Sequence, residues 1–399
     1  MRWQAELVGI PAPPFGEERR SEWIGERFRE ASLDDLHTDE IGNVFGSIRG
    51  SGKDDLDDGP VVILSAHLDT VFPDGTRLDA VATDDRIEAP GACDNAAGVV
   101  GMLALVHALV ESKMPFGTTL VFAGNVGEEG EGDLRGVRQI YRQSKYAGRI
   151  ATHIVLDGAG AEAVVTQALG SRRYRVTVSG TGGHSFTEAD TANPILTLAL
   201  ALTKLAEVSA TLAAGEPRTT FNVGTIEGGT SVNTIPETAA ATVEFRSTDP
   251  EPLVRLEVAL HRAVEDAVEV SNSREQFAMA ARLNGKRKRD GCCGLRYSIE
   301  KIGDRPSARL PEDSPLLEVV RAVDRHLGLK TDLRLGSTDA NIPLSLGIPA
   351  VSLGAGGEGG GAHTSGEWYS AVNRELGLKR VLLITLAMVE WGAHLSREE

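Results

Sequence analysis

The chain has 399 residues, a length that predicts two or three domains, or one domain with a large insertion, and excludes a single small module. Hydrophobic residues make up 41% and charged residues 25%, a globular composition that excludes a mainly disordered chain. The chain has 57 acidic and 41 basic residues, so its net charge is −16. Because this charge repels a phosphate backbone, we expect no nucleic-acid partner.

The cysteines and the apolar runs indicate the cellular compartment in which the protein is expected. Cys93, Cys292 and Cys293 cannot form a disulfide framework, which indicates a reducing compartment, and we expect a cytoplasmic protein. The N-terminal residues lack the apolar core of a signal peptide. The apolar runs at 96–106 and 381–389 are shorter than the ~18–20 residues of a membrane span, so we expect no membrane anchor.

Between residues 61 and 157, short apolar runs alternate with helical stretches. VVILSA, TTLVFAGNV and THIVLD are typical of strands buried on both faces, and residues 95–112 are typical of a helix. The same pattern returns after Pro311, with a helix at 313–328, the strand IPAVSLG and a closing amphipathic helix at 375–395. These segments predict an α/β domain with a mixed sheet.

From about residue 171 the pattern changes. RRYRVTVSG, RTTFNVGTI, TAAATVEFRS and LRYSIEKI alternate at period two, and they are separated by helical stretches at 190–213 and 250–271. The order strand, helix, strand, strand, helix, strand predicts an inserted ferredoxin-like (βαββαβ) domain. We therefore assign 1–170 and 311–399 to a catalytic domain and 171–310 to a lid or dimerisation domain.

Within the insertion, residues 274–294 carry a basic run and two adjacent cysteines. Charge runs of this kind are usually solvated, so we expect a loop and assign it no function.

Most candidate functional residues follow the apolar runs, where ligands bind in open α/β sheets, and Asp94 lies between the first two runs, before a helix. The candidates are His67, Asp69, Asp94, Glu128, Glu129, Asp157 and His363. Taken singly, each has a simpler interpretation, and Asp94 is most simply the cap of the helix that follows. Their repetition at strand ends favours a metal site, and histidines with carboxylates suit Zn²⁺, Mn²⁺ or Co²⁺.

The chain also resembles the co-catalytic dizinc peptidases and deacylases, which include peptidase T, carboxypeptidase G, aminoacylase and acetylornithine deacetylase. The resemblance rests on six segments that follow the family's order and approximate spacing, SAHLDTV, GACDNAAG, EEGEGDLRG, GGHS, NTIPE and GGAHT. It covers nearly the whole chain and implies two divalent metal ions, most simply zinc.

The resemblance implies a role for each of these residues. Asp94 would bridge the two ions, one of which would add His67 and Asp157 and the other Glu129 and His363. Asp69 would orient the imidazole of His67, and Glu128 would be the general base that passes a proton from water to the leaving amine. A cis peptide bond is expected between Asp94 and Asn95.

Three further residues come from the insertion. His184 matches a histidine that stabilises the oxyanion, and in dimeric relatives it reaches the site of the other subunit. The inserted domain leaves edge strands exposed, and their pairing across a two-fold axis would give a homodimer through that domain. Asn233 and Arg246 match positions that hold polar groups or the carboxylate of the substrate. Their simpler interpretations are a turn residue and a charge on a strand face.

Two features favour the peptidase T-like branch. Asp157 stands where carboxypeptidase-like and deacylase-like members usually have Glu, and GSTDANIPLSLGIP (336–349) resembles the same branch. We therefore expect an enzyme that hydrolyses short peptides, as an aminopeptidase, tripeptidase or dipeptidase. The alternatives are an N-acyl amino acid deacylase or carboxypeptidase on the same site, and a binding protein that has lost catalysis.

Overall fold

The computed structural model describes residues 1–50, 59–213, 215–283 and 294–398. The chain forms two compact units, unit 1 (Met1–Ala168 and Ala308–Glu399) and unit 2 (Leu169–Ser307). Unit 2 is thus an insertion in the sequence of unit 1. The role expected for it, a lid or dimerisation domain, stays a prediction.

The elements of the chain are as follows. The first part of unit 1 contains α1 (Arg2–Val8), α2 (Glu18–Glu30), β1 (Asp34–Thr38), β2 (Val44–Ile48), β3 (Val61–His67), β4 (Val81–Ala82), β5 (Arg86–Glu88), α3 (Ala96–Ser112), β6 (Thr119–Asn125), α4 (Arg135–Gln143), β7 (Ile150–Leu156) and β8 (Ala163–Ala168). Unit 2 contains β9 (Gly170–Ser179), β10 (Gly183–His184), α5 (Pro194–Ala213), β11 (Thr219–Gly228), β12 (Thr234–Ile235), β13 (Thr238–Ser247), α6 (Pro250–Leu283) and β14 (Arg296–Arg305). The second part of unit 1 contains β15 (Ala308–Arg309), α7 (Pro315–Leu327), β16 (Asp332–Gly336), α8 (Asn341–Ser345), β17 (Ala350–Leu353), β18 (Glu358–Gly360), β19 (Trp368–Ser370) and α9 (Arg374–Glu398).

The main sheet of unit 1 is mixed, as predicted. Its strands lie in the order β1-β2-β6-β3-β7-β17-β8-β15, with β16 also paired to β8. β6, β3, β7 and β17 are parallel neighbours, so their carboxyl ends meet at one edge. All seven residues of β3 are buried, which explains its continuous apolar run. This edge is where the candidate residues lie.

Helix α3 follows the loop that carries Asp94. The side chain of Asn95 accepts a hydrogen bond from the N–H of Gly98 at 3.2 Å and so caps the first turn. The peptide bond between Asp94 and Asn95 is cis, as expected. Eleven of the 17 residues of α3 are buried, which fixes the loop against the core of unit 1.

Unit 2 is a ferredoxin-like α/β sandwich, as predicted. Its four-stranded sheet runs in the order β11-β13-β9-β14, and all three strand pairs are antiparallel. Helices α5 and α6 bury an apolar core with the strands, which includes Tyr174, Leu198, Phe245 and Leu260. The fold class is therefore α/β in both units.

One expectation for the insertion needs correction. The 274–294 segment was expected to be a loop, but α6 continues to Leu283; residues 284–293, with Cys292 and Cys293, lie outside the described residues. The segment Pro194–Leu212 is long and apolar enough to cross a membrane, with a mean hydropathy of 1.6. One such helix is weak evidence, because core helices pass the same test, and α5 contributes Leu198 and Leu205 to the core of unit 2.

Candidate metal centre and active site

Seven of the predicted residues converge at one edge of the unit 1 sheet. His67 ends β3, Glu128 and Glu129 follow β6, and Asp157 follows β7. Asp94 lies in the loop before α3, and His363 lies between β18 and β19 with a positive φ of 65°. The shared direction of the parallel strands brings together residues that are far apart in sequence.

The carboxylate of Asp94 lies between two imidazoles. Its Oδ1 is 3.1 Å from Nε2 of His67, and its Oδ2 is 3.0 Å from Nε2 of His363. Asp157 completes the first group, 3.9 Å from Nε2 of His67, and Glu129 completes the second, 3.2 Å from Nε2 of His363. In each group one donor atom from each residue lies within 4.8 Å of the others. The arrangement presents two adjacent sets of nitrogen and oxygen donors that share one carboxylate.

The electrostatics of these groups fit cations. Hydrogen bonds with Asp94 and Glu129 raise the pKa of His363 to about 10. Burial opposes protonation of His67, but hydrogen bonds with three aspartates, led by Asp157, raise its pKa well above the usual value. Protons on both imidazoles thus offset carboxylates that would otherwise repel one another. Divalent cations would provide that positive charge and accept the imidazole nitrogens as neutral ligands, so the donor set fits a dinuclear centre.

Asp69 links the two groups. Its buried carboxylate accepts the backbone N–H groups of Glu128 at 3.0 Å and Glu129 at 2.7 Å. The same carboxylate lies 3.6 Å from Nδ1 of His67, and the backbone carbonyl of Asp69 lies closer to that nitrogen, at 3.2 Å. Asp69 therefore positions the loop after β6 as well as the imidazole for which it was predicted.

Glu128 is buried beside this linkage. A carboxylate oxygen of Glu128 groups with ligand atoms of His67 and Glu129 within 4.8 Å, and 4% of the residue is exposed. A carboxylate in that position can reach a water held between the two groups.

The sequence analysis missed several residues that support the centre. Buried Glu367 accepts N–H groups of the loop that carries Asp94, and fully buried Arg20 donates to the carbonyl of Leu68 at 2.8 Å. Burial lowers the pKa of Arg20 to about 10, against the attraction of Asp69 and Glu367. Arg20 therefore stays protonated at neutral pH and offsets part of the negative charge.

The 336–349 segment also contributes a buried carboxyl group. Asp339 accepts a hydrogen bond from the side-chain amide of Asn125 at 2.7 Å, and both residues are fully buried. Asn125 pairs with His67 in the parallel register of β6 and β3. Burial raises the pKa of Asp339 to about 7.

His184 and Asn233 lie together in unit 2. The short ladder of β10 and β12 pairs His184 with Thr234, and the N–H of Ser185 donates to the carbonyl of Asn233 at 3.1 Å. Both side chains are exposed. The N–H of Phe186 donates to Nδ1 of His184 at 3.1 Å, so the neutral ring carries its proton on Nε2.

Arg246 lies on β13, and its guanidinium is paired within unit 2. Nε and Nη2 donate to the carboxylate of Glu244 at 2.9 and 3.0 Å. Arg173 donates to the same carboxylate at 2.9 Å. The simpler interpretation of Arg246, a charge on a strand face, is thus compatible with its contacts.

Imidazoles and carboxylates grouped at the strand ends of an α/β unit are donors that metal-dependent hydrolases use. The chain belongs to peptidase family M20/M25/M40, whose model matches residues 63–386. It is therefore a hydrolase that acts on peptide bonds, within the family that the sequence motifs indicate.

The known proteins that are similar to this chain carry names that indicate different activities or no activity. The uncharacterized protein YqjE of Bacillus subtilis is 24% identical, over 88% of this chain and 89% of that protein. A probable carboxypeptidase of Ajellomyces capsulatus is 29% identical, but the match covers 53% of this chain and half of that protein. A tripeptidase from Staphylococcus aureus has the same fold, with a TM-score of 0.71, 21% identity and coverage of 98% of this chain and 97% of its own. The fold and the family are shared, whereas the named activities diverge.

Proposed function

We propose that this chain is a dinuclear metallopeptidase that releases the free N-terminal residue of short peptides, as an aminopeptidase, tripeptidase or dipeptidase. The geometry of Asp94 carries the dinuclear part of the proposal, because its two oxygens face different imidazole nitrogens at 3.1 and 3.0 Å. His67 and Asp157 would hold one ion, and Glu129 and His363 the other. Zn²⁺ suits these donors, and Mn²⁺ and Co²⁺ are the alternatives.

In the proposed reaction the two cations, when bound, polarise the scissile carbonyl and lower the pKa of the attacking water. Glu128 accepts the proton of that water and delivers it to the amine that leaves. Asp69 supports this role because it holds the backbone N–H of Glu128 at 3.0 Å. The base is therefore fixed relative to both groups of ligands.

Unit 2 would supply the remaining polar contacts. His184 donates from Nε2 to the oxyanion, a role supported by the N–H of Phe186 on its Nδ1. Asn233 would bind a polar group of the substrate, and Arg246 its carboxylate. Glu244 occupies Nε and Nη2 of Arg246, so a substrate carboxylate would bind the remaining donors of the guanidinium or displace Glu244.

A homodimer through unit 2 is part of the proposal. β11 pairs with β13, and within the described residues of unit 2 no strand pairs with its other edge. Val223 and Ile226 on this strand are exposed, at 36% and 58%. An exposed ten-residue edge with apolar side chains favours pairing with a second copy.

The proposed location is the cytoplasm, supported by the buried free thiol of Cys93. The net charge of −16 supports small peptides rather than nucleic acid or an anionic membrane surface as the partner.

The second candidate is a carboxypeptidase or N-acyl amino acid deacylase with the same centre. The name of the Ajellomyces relative favours it, whereas Asp157 and the 336–349 segment favour cleavage at the N-terminal side. A binding protein that has lost catalysis is a third candidate, disfavoured because the donor set is complete.

A substrate panel separates these candidates. The metal-loaded full chain is incubated with tripeptides, dipeptides, N-acetylated tripeptides, and N-acetyl and N-carbamoyl amino acids, with the Glu128→Gln protein as the inactive control. Release of the N-terminal residue from unblocked peptides alone is the expected result. Release of the C-terminal residue from blocked or unblocked tripeptides, or hydrolysis confined to N-acyl amino acids, would support the second candidate, and no hydrolysis with both ions bound would support the third.

A further inference from the structure

Glu367 is a buried carboxylate with an unusual set of partners. Its Oε2 accepts the N–H of Gly91 at 2.8 Å, and its Oε1 accepts the N–H groups of Cys93 and Asp94, each at 2.7 Å. Only 1% of the residue is exposed. Three backbone donors of one short loop therefore depend on a single side chain 273 to 276 positions away in sequence.

The same residue is tied to His363. The N–H of Glu367 donates to the carbonyl of Thr364 at 3.2 Å, and the N–H of Thr364 donates to the carbonyl of Gly361 at 3.0 Å, so a tight turn joins His363 to Glu367. Glu367 thus fixes Asp94 relative to the segment that contains His363.

Asn95 anchors Asp94 on the opposite side. Its amide donates to the carbonyl of Leu156 at 2.9 Å, and its oxygen accepts the N–H of Gly158 at 3.0 Å. These two contacts flank Asp157 in sequence. Asp94 is therefore held toward Asp157 by Asn95 and toward His363 by Glu367.

The geometry points to Glu367 as a positioning residue for one of the two ions, the ion held by Glu129 and His363. Glu367 would strengthen the binding of that ion because it sets the distance between Asp94 and His363. This inference rests on the dinuclear centre proposed above. In Glu367→Gln an amide nitrogen faces an N–H that needs an acceptor, so the Asp94 loop moves away from the 363–367 turn. The ion held by Glu129 and His363 then binds less tightly, and the ion held by His67 and Asp157 keeps its affinity within a few-fold.

The test titrates the metal-free full chain with Co²⁺ and follows its visible absorption and binding heat. We expect the wild type to bind two ions and Glu367→Gln to bind one of them about 10- to 100-fold more weakly. Asp324→Asn is the matched control, because it neutralises another buried carboxylate of unit 1 that pairs with Arg380. Both of its ions should bind as in the wild type.

A double-mutant cycle identifies the ion affected. In the His363→Ala protein the ion held by His67 and Asp157 remains, and adding Glu367→Gln should change its affinity little. In the His67→Ala protein the ion held by Glu129 and His363 remains, and adding Glu367→Gln should lower its affinity. If Glu367→Gln does not fold, Glu367→Asp, which withdraws the carboxylate by one methylene, takes its place in the same cycle.

Wild-type affinities for both ions in the Glu367 variants, or a loss that follows His67 instead, would overturn the inference. A wild type that binds fewer than two ions would instead overturn the dinuclear proposal on which it rests.

Discussion

The two units treat their predicted functional residues differently. In unit 1, seven residues from five chain segments lie at one sheet edge, and buried partners such as Asp69, Glu367 and Asn95 fix their backbone. In unit 2, His184 and Asn233 are exposed in a two-residue ladder, and Arg246 is already paired with Glu244.

The two groups of residues differ in how far their positions are fixed by contacts within their own unit. The unit 1 centre is preorganised by contacts within one unit, so its chemistry can be inferred from that unit alone. The predicted roles of the unit 2 residues depend instead on what binds near them. The following predictions test this contrast, beginning with the largest expected effect.

Glu128→Gln is expected to reduce kcat by about 10²- to 10⁴-fold, because the proton acceptor is lost while the shape of the site is kept. Metal analysis of the same protein should still find both ions, since Glu128 is not among their proposed ligands. Activity equal to that of the wild type would remove Glu128 from the mechanism.

Ion pairs of similar geometry should differ in stability between the units. Asp324→Asn removes the opposite charge from the fully buried guanidinium of Arg380, which keeps its hydrogen bonds to backbone carbonyls, and should lower the free energy of unfolding by about 3–5 kcal/mol. The side chain of Arg246 is 37% exposed, so Arg246→Gln should lower the free energy of unfolding by about 1 kcal/mol or less. Urea denaturation followed by circular dichroism measures both. Equal losses would show that burial does not distinguish the two pairs.

Metal affinity should rise with pH. Hydrogen bonds with Asp94 and Glu129 raise the pKa of His363 to about 10, so the imidazole is protonated at pH 7 in the metal-free protein and the ion must displace that proton. Each displaced proton should weaken the apparent affinity about tenfold for each unit that the pH falls below that pKa. Calorimetry in buffers of different ionisation enthalpy counts the protons.

His184→Ala is the control for this pH dependence. Because His184 is not among the proposed metal ligands, its replacement should leave the proton count unchanged, whereas His363→Gln should lower it by one. A change in the His184 variant would show that His184 also loses a proton when the ions bind.

Subunit complementation gives the smallest signal. If His184 acts in the site of a partner subunit, mixing Glu128→Gln chains with His184→Ala chains should recover about a quarter of wild-type activity, since half of randomly exchanged dimers contain one intact site. Subunit exchange is verified by native mass spectrometry. Demonstrated exchange without recovered activity would place His184 in its own subunit's site or outside the mechanism.

The strand ends were predictable because burial leaves a signal in sequence. The runs before His67, Glu128 and Asp157 are continuous and apolar, so their strands and the shared edge of those strands follow from the pattern alone. The ferredoxin-like order of unit 2 was predictable because its strands are buried on one face and therefore alternate at period two.

The supporting residues were not predictable in this way. Glu367 acts on backbone N–H groups, and any residue except proline supplies such a group, so the loop at 91–94 carries no mark of its partner. The helix beyond residue 274 differs from the predicted loop for another reason, because the helix propensity of REQFAMAARL outweighs the effect of its charges.

The burial of Arg20 also limits how far the chain can be shortened. The family match begins at residue 63, yet Arg20 donates to the carbonyl of Leu68 and Gln4 donates to the carbonyl of Ala92, two residues before Asp94. A fragment cut to the matched span would lose both contacts and the guanidinium that faces Asp69 and Glu367. The smallest working version of unit 1 must therefore include α1 and α2, and a shortened chain that begins at residue 63 should fold poorly around its metal ligands.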